Sequence, residues 1–161
     1  MMGDVIRLMA RRVVLLSLVT LAFAPQAFAQ GAAPQVIFVC EHGAAKSLIA
    51  TAYFNKLAAE RGLPDRAAFR GVAPQDDLSV RAVAGLKADG LPIPTGKPTA
   101  LDQADVGRAT HVFAIGCVLP AAALASGKAS SWDDVPDDKG YEPMRDAIVR
   151  HVQTLVASLP R

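Results

Sequence analysis

An eight-residue segment from Cys40 to Ser47, with the sequence Cys-Glu-His-Gly-Ala-Ala-Lys-Ser, contains the residues best suited to chemistry. It follows an apolar run that ends at Cys40 and precedes a helical pattern that begins at Lys46. A short loop that enters a helix directs backbone N–H groups inward and can hold a tetrahedral oxyanion. Cys40 would lie beneath that anion, with its thiolate stabilised by the helix N-terminus. The segment therefore predicts nucleophilic attack by Cys40 on phosphorus or arsenic; the alternative is a small buried core residue.

The segments around this loop are predicted to be strands that alternate with helices. Apolar, β-rich runs predict strands at 36–40, 67–70, 111–117 and 129–132. Helical spacing predicts helices at 46–61, 79–89 and 120–125 and a last one through 144–159, and a capping box at Thr99 and Asp102 predicts a further short helix. This alternation predicts an α/β fold, with a four-stranded parallel sheet between two layers of helices. Ligands of such sheets bind beyond the carboxyl ends of the strands, where Cys40 and Cys117 lie.

Residues 1–29 have the three parts of a secretory signal peptide. Arg7, Arg11 and Arg12 form a basic start, an apolar run covers 13–24, and residues 27–29 give the small-x-small sequence Ala-Phe-Ala. The apolar run is shorter than the ~20 residues of a membrane-spanning helix, although an uncleaved anchor is the alternative. The start could be Met1 or Met9. We predict cleavage to one domain, residues 30–161, that is periplasmic or secreted and has no stable membrane association after the signal is removed.

Charge and composition exclude several classes of protein. The segment 1–29 contains three Arg and one Asp, so residues 30–161 carry 14 basic and 14 acidic side chains. A formal charge of zero, without a basic run or an aromatic and basic stripe, argues against nucleic acid as a partner. Two cysteines and three histidines at scattered positions do not make a zinc module. We predict neither a metal nor a cofactor.

The pattern VIFVC-x5-KS-x-x-A resembles the signature of the low-molecular-weight protein tyrosine phosphatases and the thioredoxin-coupled arsenate reductases, which share one fold. Their phosphate-binding loop, or P-loop, is C-x5-R-[ST] after a similar strand. The resemblance continues in order along the domain, at 70–72, 92–102, 111–117 and 132–137. It implies the low-molecular-weight phosphatase-like version of the three-layer α/β/α fold, with a small oxyanion or a phosphorylated molecule as substrate.

The resemblance also implies a role for each matching residue. Cys40 would be the nucleophile, and the Ser47 hydroxyl would stabilise its thiolate. Asp137 would be the general acid, with Asp134 as the alternative. The oxyanion would be held along the loop by the residues Glu41, His42, Gly43, Ala44, Ala45 and Lys46.

Three positions of the loop depart from the family pattern. Lys46 replaces an Arg, so a point charge replaces a planar fork, and one lost charge-assisted hydrogen bond is worth about 1.5–3 kcal/mol. A Glu41 carboxylate ~5 Å from the anion would oppose binding by ~3 kcal/mol, which Lys46 would nearly cancel. Alternatively, Glu41 points outward and pairs with Lys46 or His42. Gly43 replaces an Asn that braces the loop, and a looser loop is expected.

Several functions remain open at this point. The first is an exported phosphatase-like enzyme in which Cys40 attacks a phosphate-type oxyanion. The second is an arsenate reductase-like enzyme that uses Cys40, Cys117 as the redox partner and a thiol reductant; the third cysteine of that family's relay has no counterpart. A third is a non-catalytic relative that binds an anion or a protein. A Cys40–Cys117 disulfide is a fourth hypothesis, since neighbouring strands would bring the two residues within bonding range.

Overall fold

The computed structural model describes residues 35–137 and 139–160, and the predicted signal peptide at 1–29 lies outside them. The strands are β1 Val36–Cys40, β2 Ala67–Gly71, β3 His111–Ile115 and β4 Ala129–Trp132. The helices are α1 Lys46–Glu60, α2 Val80–Ala88, α3 Gln103–Arg108, α4 Ala121–Leu124 and α5 Tyr141–Ser158. Each strand and helix expected from the sequence has a counterpart. Among the described helices, none combines the length and the hydrophobicity needed to cross a membrane.

The four strands form one parallel sheet in the order β2-β1-β3-β4. All five residues of β1 are buried, as expected for a central strand that is covered on both faces. The chain passes from β1 to β2 on one side and later returns to β3 on the other side. This reversal opens a crevice at the carboxyl end of β1, where ligands of such folds bind. The predicted four-stranded parallel α/β fold is confirmed.

Alternate residues of β1 enter two separate hydrophobic clusters, because successive strand side chains point to opposite faces. Phe38 and Cys40 pack on the face covered by α1, α2 and α5. Val39 packs on the face covered by α3 and α4, with Cys117 at its margin. We call these the α1/α5 face and the α3/α4 face. The two cysteines therefore belong to different faces of the sheet.

Two boundaries differ from the expectations. The strand β3 ends at Ile115 rather than at Cys117, because Gly116 takes a positive φ of 60° and turns the chain out of the sheet. The N-cap of α3 is Asp102 rather than Thr99, and its carboxylate accepts the Asp105 N–H at 2.6 Å. The carbonyl of Thr99 instead accepts the Gly71 N–H at 2.9 Å, at the outer edge of β2.

Candidate active site

The loop between β1 and α1 is held by its backbone carbonyl groups. Four of them accept N–H groups from the connection between β2 and α2: Val72 to Cys40 at 3.1 Å, Ala73 to Glu41 at 2.8 Å, Gln75 to His42 at 3.2 Å and Ser79 to Ala44 at 3.0 Å. A peptide group is planar and trans, so its C=O and N–H point in opposite directions. The N–H groups of residues 41, 42, 43 and 45 therefore point away from this connection. The sequence predicts that amides of the loop face a bound anion, and these four hydrogen bonds determine the direction in which the amides point.

Gly43 allows the loop to approach β2 closely. Its φ of 64° lies in the left-handed region, and a Cβ there would lie 2.8 Å from the Gly71 nitrogen. A side chain at position 43 would therefore collide with the backbone of β2. The backbone of the β2–α2 connection braces the loop independently of any side chain at position 43, and the looser loop expected from Gly43 stays a prediction.

Cys40 and Ser47 lie together at the floor of the loop. The Cys40 residue is 3% exposed and Ser47 is fully buried. The Cys40 Sγ lies 3.2 Å from the Ser47 Oγ, within hydrogen-bond distance for sulfur. The hydroxyl can therefore donate to a thiolate, as the resemblance implied for this pair.

Lys46 reaches across the site to Asp137. Its Nζ lies 2.7 Å from the Asp137 Oδ1, and the Lys46 side chain is buried whereas that of Asp137 is 73% exposed. The ammonium packs over Gly116, where a Cβ would lie only 2.6 Å from the Nζ. Gly116 thus leaves the space that this ammonium fills. It falls inside the strand predicted at 111–117, and the sequence predicts no role for it in the site.

These residues line a cavity of about 380 Å³. The sequence-predicted residues that it brings together are Cys40, Glu41, His42, Ala44, Ala45, Lys46 and Asp137. Ser47 lies behind Cys40, and Gly43 lies against β2. The lining residues to which sequence reasoning gave no site role are Gln75, Ser79, Gly116 and Met144. No local motif marks them, because they come from three distant parts of the chain.

The loop has two exposed side chains, those of Glu41 and His42, and they differ in their contacts. The His42 Nδ1 lies 3.2 Å from the Ala73 carbonyl oxygen and can donate to it. Lys46 is paired with Asp137, and the alternative in which Glu41 pairs with Lys46 or His42 is not found among the described ion pairs. Glu41 forms no ion pair with any described residue, and it lies on the cavity wall.

Asp134, the alternative general acid, lies outside the cavity wall. Its Oδ1 accepts a hydrogen bond from the His151 Nε2 at 2.6 Å, and the His151 ring stacks on Trp132. This hydrogen bond lowers the pKa of Asp134 from its usual value. The geometry therefore favours Asp137 over Asp134 as the carboxyl group that can reach a bound anion.

Cys117 also lies outside this cavity. Its Sγ donates to the Val39 carbonyl at 3.5 Å, and its side chain packs against the α3/α4 face. Burial raises the pKa of the Cys117 thiol, and the charges of Cys40 and Glu41 add to the increase. Both thiols are free. The structure therefore contains no Cys40–Cys117 disulfide, and the two side chains pack on different faces of the sheet.

No group of three or more His, Cys, Asp or Glu side chains within 35–137 and 139–160 is arranged to hold a metal ion. The site consists of a thiol, backbone amides, one ammonium, one imidazole and two carboxylates.

The comparisons with known proteins give matches in structure only. No model of a protein family matches the chain, and no curated protein matches its sequence. The low-molecular-weight protein tyrosine phosphatase of T. tengcongensis superimposes with a TM-score of 0.67 at 21% identity, over 78% of this chain and 99% of that chain. An arsenate reductase of Archaeoglobus fulgidus gives 0.61 at 23% identity, over 76% and 99%.

A third solved structure is that of the YwlE arginine phosphatase, a Bacillus subtilis protein, in a mutant form with a phosphorylated active-site serine. It superimposes with a TM-score of 0.67 at 20% identity, over 77% of this chain and 94% of that chain. These identities are low, but the superpositions cover nearly the full length of each relative. The chain therefore has the fold that low-molecular-weight protein tyrosine phosphatases and arsenate reductases share.

Proposed function

We propose that this protein is a cysteine-dependent phosphatase that hydrolyses phosphate monoesters at Cys40. One observation carries the proposal: a buried thiol, an ammonium and a carboxylate meet in a single cavity, beside a loop whose carbonyls are bound on its other side by the β2–α2 connection. The backbone amides opposite those carbonyls would bind the phosphoryl oxygens and stabilise the charge that builds up in the transition state. Lys46 would add a positive charge to the same group.

The reaction would proceed in two displacements. The Cys40 thiolate forms an S–P bond while the P–O bond to the leaving group breaks, and its electron pair stays on the leaving oxygen. The protonated Asp137 gives its proton to that oxygen. The Asp137 carboxylate then takes a proton from water as the water oxygen attacks phosphorus. The S–P bond breaks, inorganic phosphate leaves, and the Cys40 thiolate is restored with Ser47 as hydrogen-bond donor.

The position of Cys117 favours phosphate hydrolysis over arsenate reduction. Arsenate reduction needs a second thiol that can attack the sulfur of the first, and direct bonding requires Cα atoms about 4.4–6.8 Å apart with side chains that face each other. Cys117 instead packs on the α3/α4 face and contacts Val39. Hydrolysis requires only water and the groups of the cavity.

The solved structures support the chemistry at a general level. They include tyrosine phosphatases and an arginine phosphatase that can carry a phosphoryl group on its active-site side chain. Attack on phosphorus by a residue of the loop is therefore compatible with this fold. The identity of the substrate does not follow from these low sequence identities.

Steady-state kinetics with p-nitrophenyl phosphate test the proposal. We expect turnover by the chain lacking residues 1–29 and its loss in Cys40→Ser, whereas the matched variant Cys117→Ser stays active because that thiol is outside the cavity. Activity that survives Cys40→Ser would contradict the mechanism. Calorimetric binding of inorganic phosphate without any turnover by the wild type would instead identify a non-catalytic anion-binding protein.

We further propose that the protein acts after export, in the periplasm or outside the cell. The order of basic, apolar and small-residue segments at 1–29 supports this location. The mass of the protein recovered from its native host tests it. A chain that begins at Gln30 is expected, and a mass that retains residues 1–29 in a cytoplasmic fraction would contradict export.

A further inference from the structure

The cavity contains more negative than positive side chains, which is unusual for a site that holds an anion. Its charged residues are Glu41, Asp137 and Lys46, and His42 is its remaining titratable side chain. Lys46 is already paired with Asp137 at 2.7 Å. The carboxylate of Glu41 is therefore the uncompensated charge among the described residues of the wall.

Glu41 can act in the cavity through both its peptide group and its side-chain carboxylate. Its carbonyl is held by the Ala73 N–H at 2.8 Å, and its peptide therefore belongs to the same braced loop that directs amides toward the anion. Its side chain is exposed, and the residue follows the nucleophile directly. Its carboxylate thus belongs to an exposed residue of the cavity wall, one position after Cys40.

A carboxylate in this position repels a simple phosphate ester and attracts a cation attached to one. We propose that Glu41 is a specificity residue that selects phosphate monoesters whose alcohol part carries an ammonium group close to the phosphate. This inference rests on the proposed function, because it names the substrate class of the same site. The phosphoryl group would lie on the loop amides, and the ammonium would pair with the Glu41 carboxylate at the mouth of the cavity.

The size of the cavity is compatible with such a molecule. A volume of about 380 Å³ falls at the lower end of the range for small-molecule sites. A compact amino-alcohol phosphate fits that volume. The discrimination is expected to be modest, about three- to tenfold, because Glu41 is exposed and its charge is partly screened by water.

Two phosphate esters of the same shape, of which only one carries a positive charge in its alcohol part, test the effect of that charge. Phosphocholine and 3,3-dimethylbutyl phosphate differ in that a quaternary nitrogen of the first is a quaternary carbon in the second. We expect kcat/KM to be about three- to tenfold higher for phosphocholine in the wild type. In Glu41→Gln the two values should become equal, through a gain for the neutral ester and a loss for the cationic one. Higher salt should reduce the wild-type preference.

The control is Glu142→Gln, which makes the same change at an exposed residue of α5 outside the cavity wall. It should leave the preference unchanged. Equal kcat/KM values for the two esters in the wild type would overturn the role of Glu41, and so would a preference that survives Glu41→Gln.

Calorimetry separates this inference from the proposed function. In Cys40→Ser, which cannot turn over, the affinities for phosphocholine and 3,3-dimethylbutyl phosphate are measured with and without Glu41→Gln. A preference for phosphocholine that depends on Glu41 supports the selectivity even where the wild type hydrolyses neither ester, in which case only the catalytic proposal fails. Equal affinities, or no binding of either ester, overturn the inference.

Discussion

Lys46 supplies the ammonium of the candidate site from a largely buried position. Its residue is 6% exposed, and its Nζ contacts Asp137 while it packs over Gly116. An ammonium is a compact charge that can contact an anion and a carboxylate at once, whereas a guanidinium would need the space of a planar fork. Gly116 leaves room for this ammonium, because a Cβ at that position would lie 2.6 Å from the Lys46 Nζ. Lys46 therefore has defined contacts on both sides of its ammonium, with Asp137 and with Gly116.

Replacing this ammonium tests its contribution to catalysis. In Lys46→Met, which keeps the length of the side chain, kcat/KM for p-nitrophenyl phosphate should fall by about 10- to 150-fold, the equivalent of one charge-assisted hydrogen bond of about 1.5–3 kcal/mol. Steady-state kinetics measure the change. Lys87→Met, at an exposed position of α2, is the control and should behave as the wild type. Wild-type turnover in Lys46→Met would show that the ammonium has no part in the reaction.

At the scale of the elements, the β2–α2 connection determines the shape of the loop. It supplies four N–H groups to carbonyls of residues 40–44, and β2 leaves room for Gly43 through the absence of a side chain at Gly71. The candidate anion-binding loop is thus one half of a pair of packed loops. A change in either loop is expected to affect the site.

A side chain at position 43 should disturb both stability and activity. In Gly43→Ala, the left-handed backbone alone is destabilising by about 1–2 kcal/mol, and the 2.8 Å approach to the Gly71 nitrogen adds to it. Urea denaturation and turnover measure the two effects.

Gly62→Ala is the matched control for this variant. Its φ of 68° imposes the same backbone strain, but nothing lies within 4 Å of the added Cβ. It should lose less stability than Gly43→Ala and keep its activity. Equal losses of stability in the two variants would show that close packing against β2 is unimportant.

At the scale of the whole molecule, the carboxylate of Asp89 joins three helices around the α1/α5 face. It is the C-cap residue of α2, and it accepts hydrogen bonds from Tyr53 of α1 at 2.7 Å and from Tyr141 and Arg145 of α5 at 2.6 and 2.8 Å. Burial acts to raise the pKa of Asp89, but the hydrogen bonds from these three residues outweigh it and leave the pKa below its usual value. The network also anchors the start of α5, four residues after Asp137.

Because the pKa of Asp89 is lowered in the folded state, the free energy of unfolding should depend on pH in the acid range. A carboxyl with a lower pKa in the folded than in the unfolded state stabilises the fold above the unfolded value, near 4, and this contribution is lost as the pH falls through the folded pKa. Asp89→Asn should reduce the free energy of unfolding at pH 7 by about 1–3 kcal/mol and should also flatten its decline below pH 4. Urea denaturation across this pH range measures both changes.

Asp77→Asn, at an exposed position outside the network, is the control for acid stability. It should follow the wild-type curve. An Asp89→Asn curve parallel to that of the wild type at every pH would contradict the assignment, because the network would then contribute no linked proton.

The strands and helices could be predicted because their signals are local. The continuous apolar run of β1 and the period of α5 record which residues face the core, and both agree with the structure. The ends of elements were predicted less well. The end of β3 depends on the positive φ of Gly116, and the cap of α3 depends on which of Thr99 and Asp102 is drawn into pairing with β2.

The amino-acid sequence by itself determined the architecture, the position of Cys40 at the end of a buried strand, and the loop that follows it, because these depend on neighbouring residues. Only the tertiary structure decided the partners of that loop. Lys46 meets Asp137 across 91 positions of the chain, the N–H groups of residues 72–79 orient the loop, and Cys117 lies on the other face of the sheet. Contacts between distant segments follow from how the layers pack, and no local pattern of residues records them.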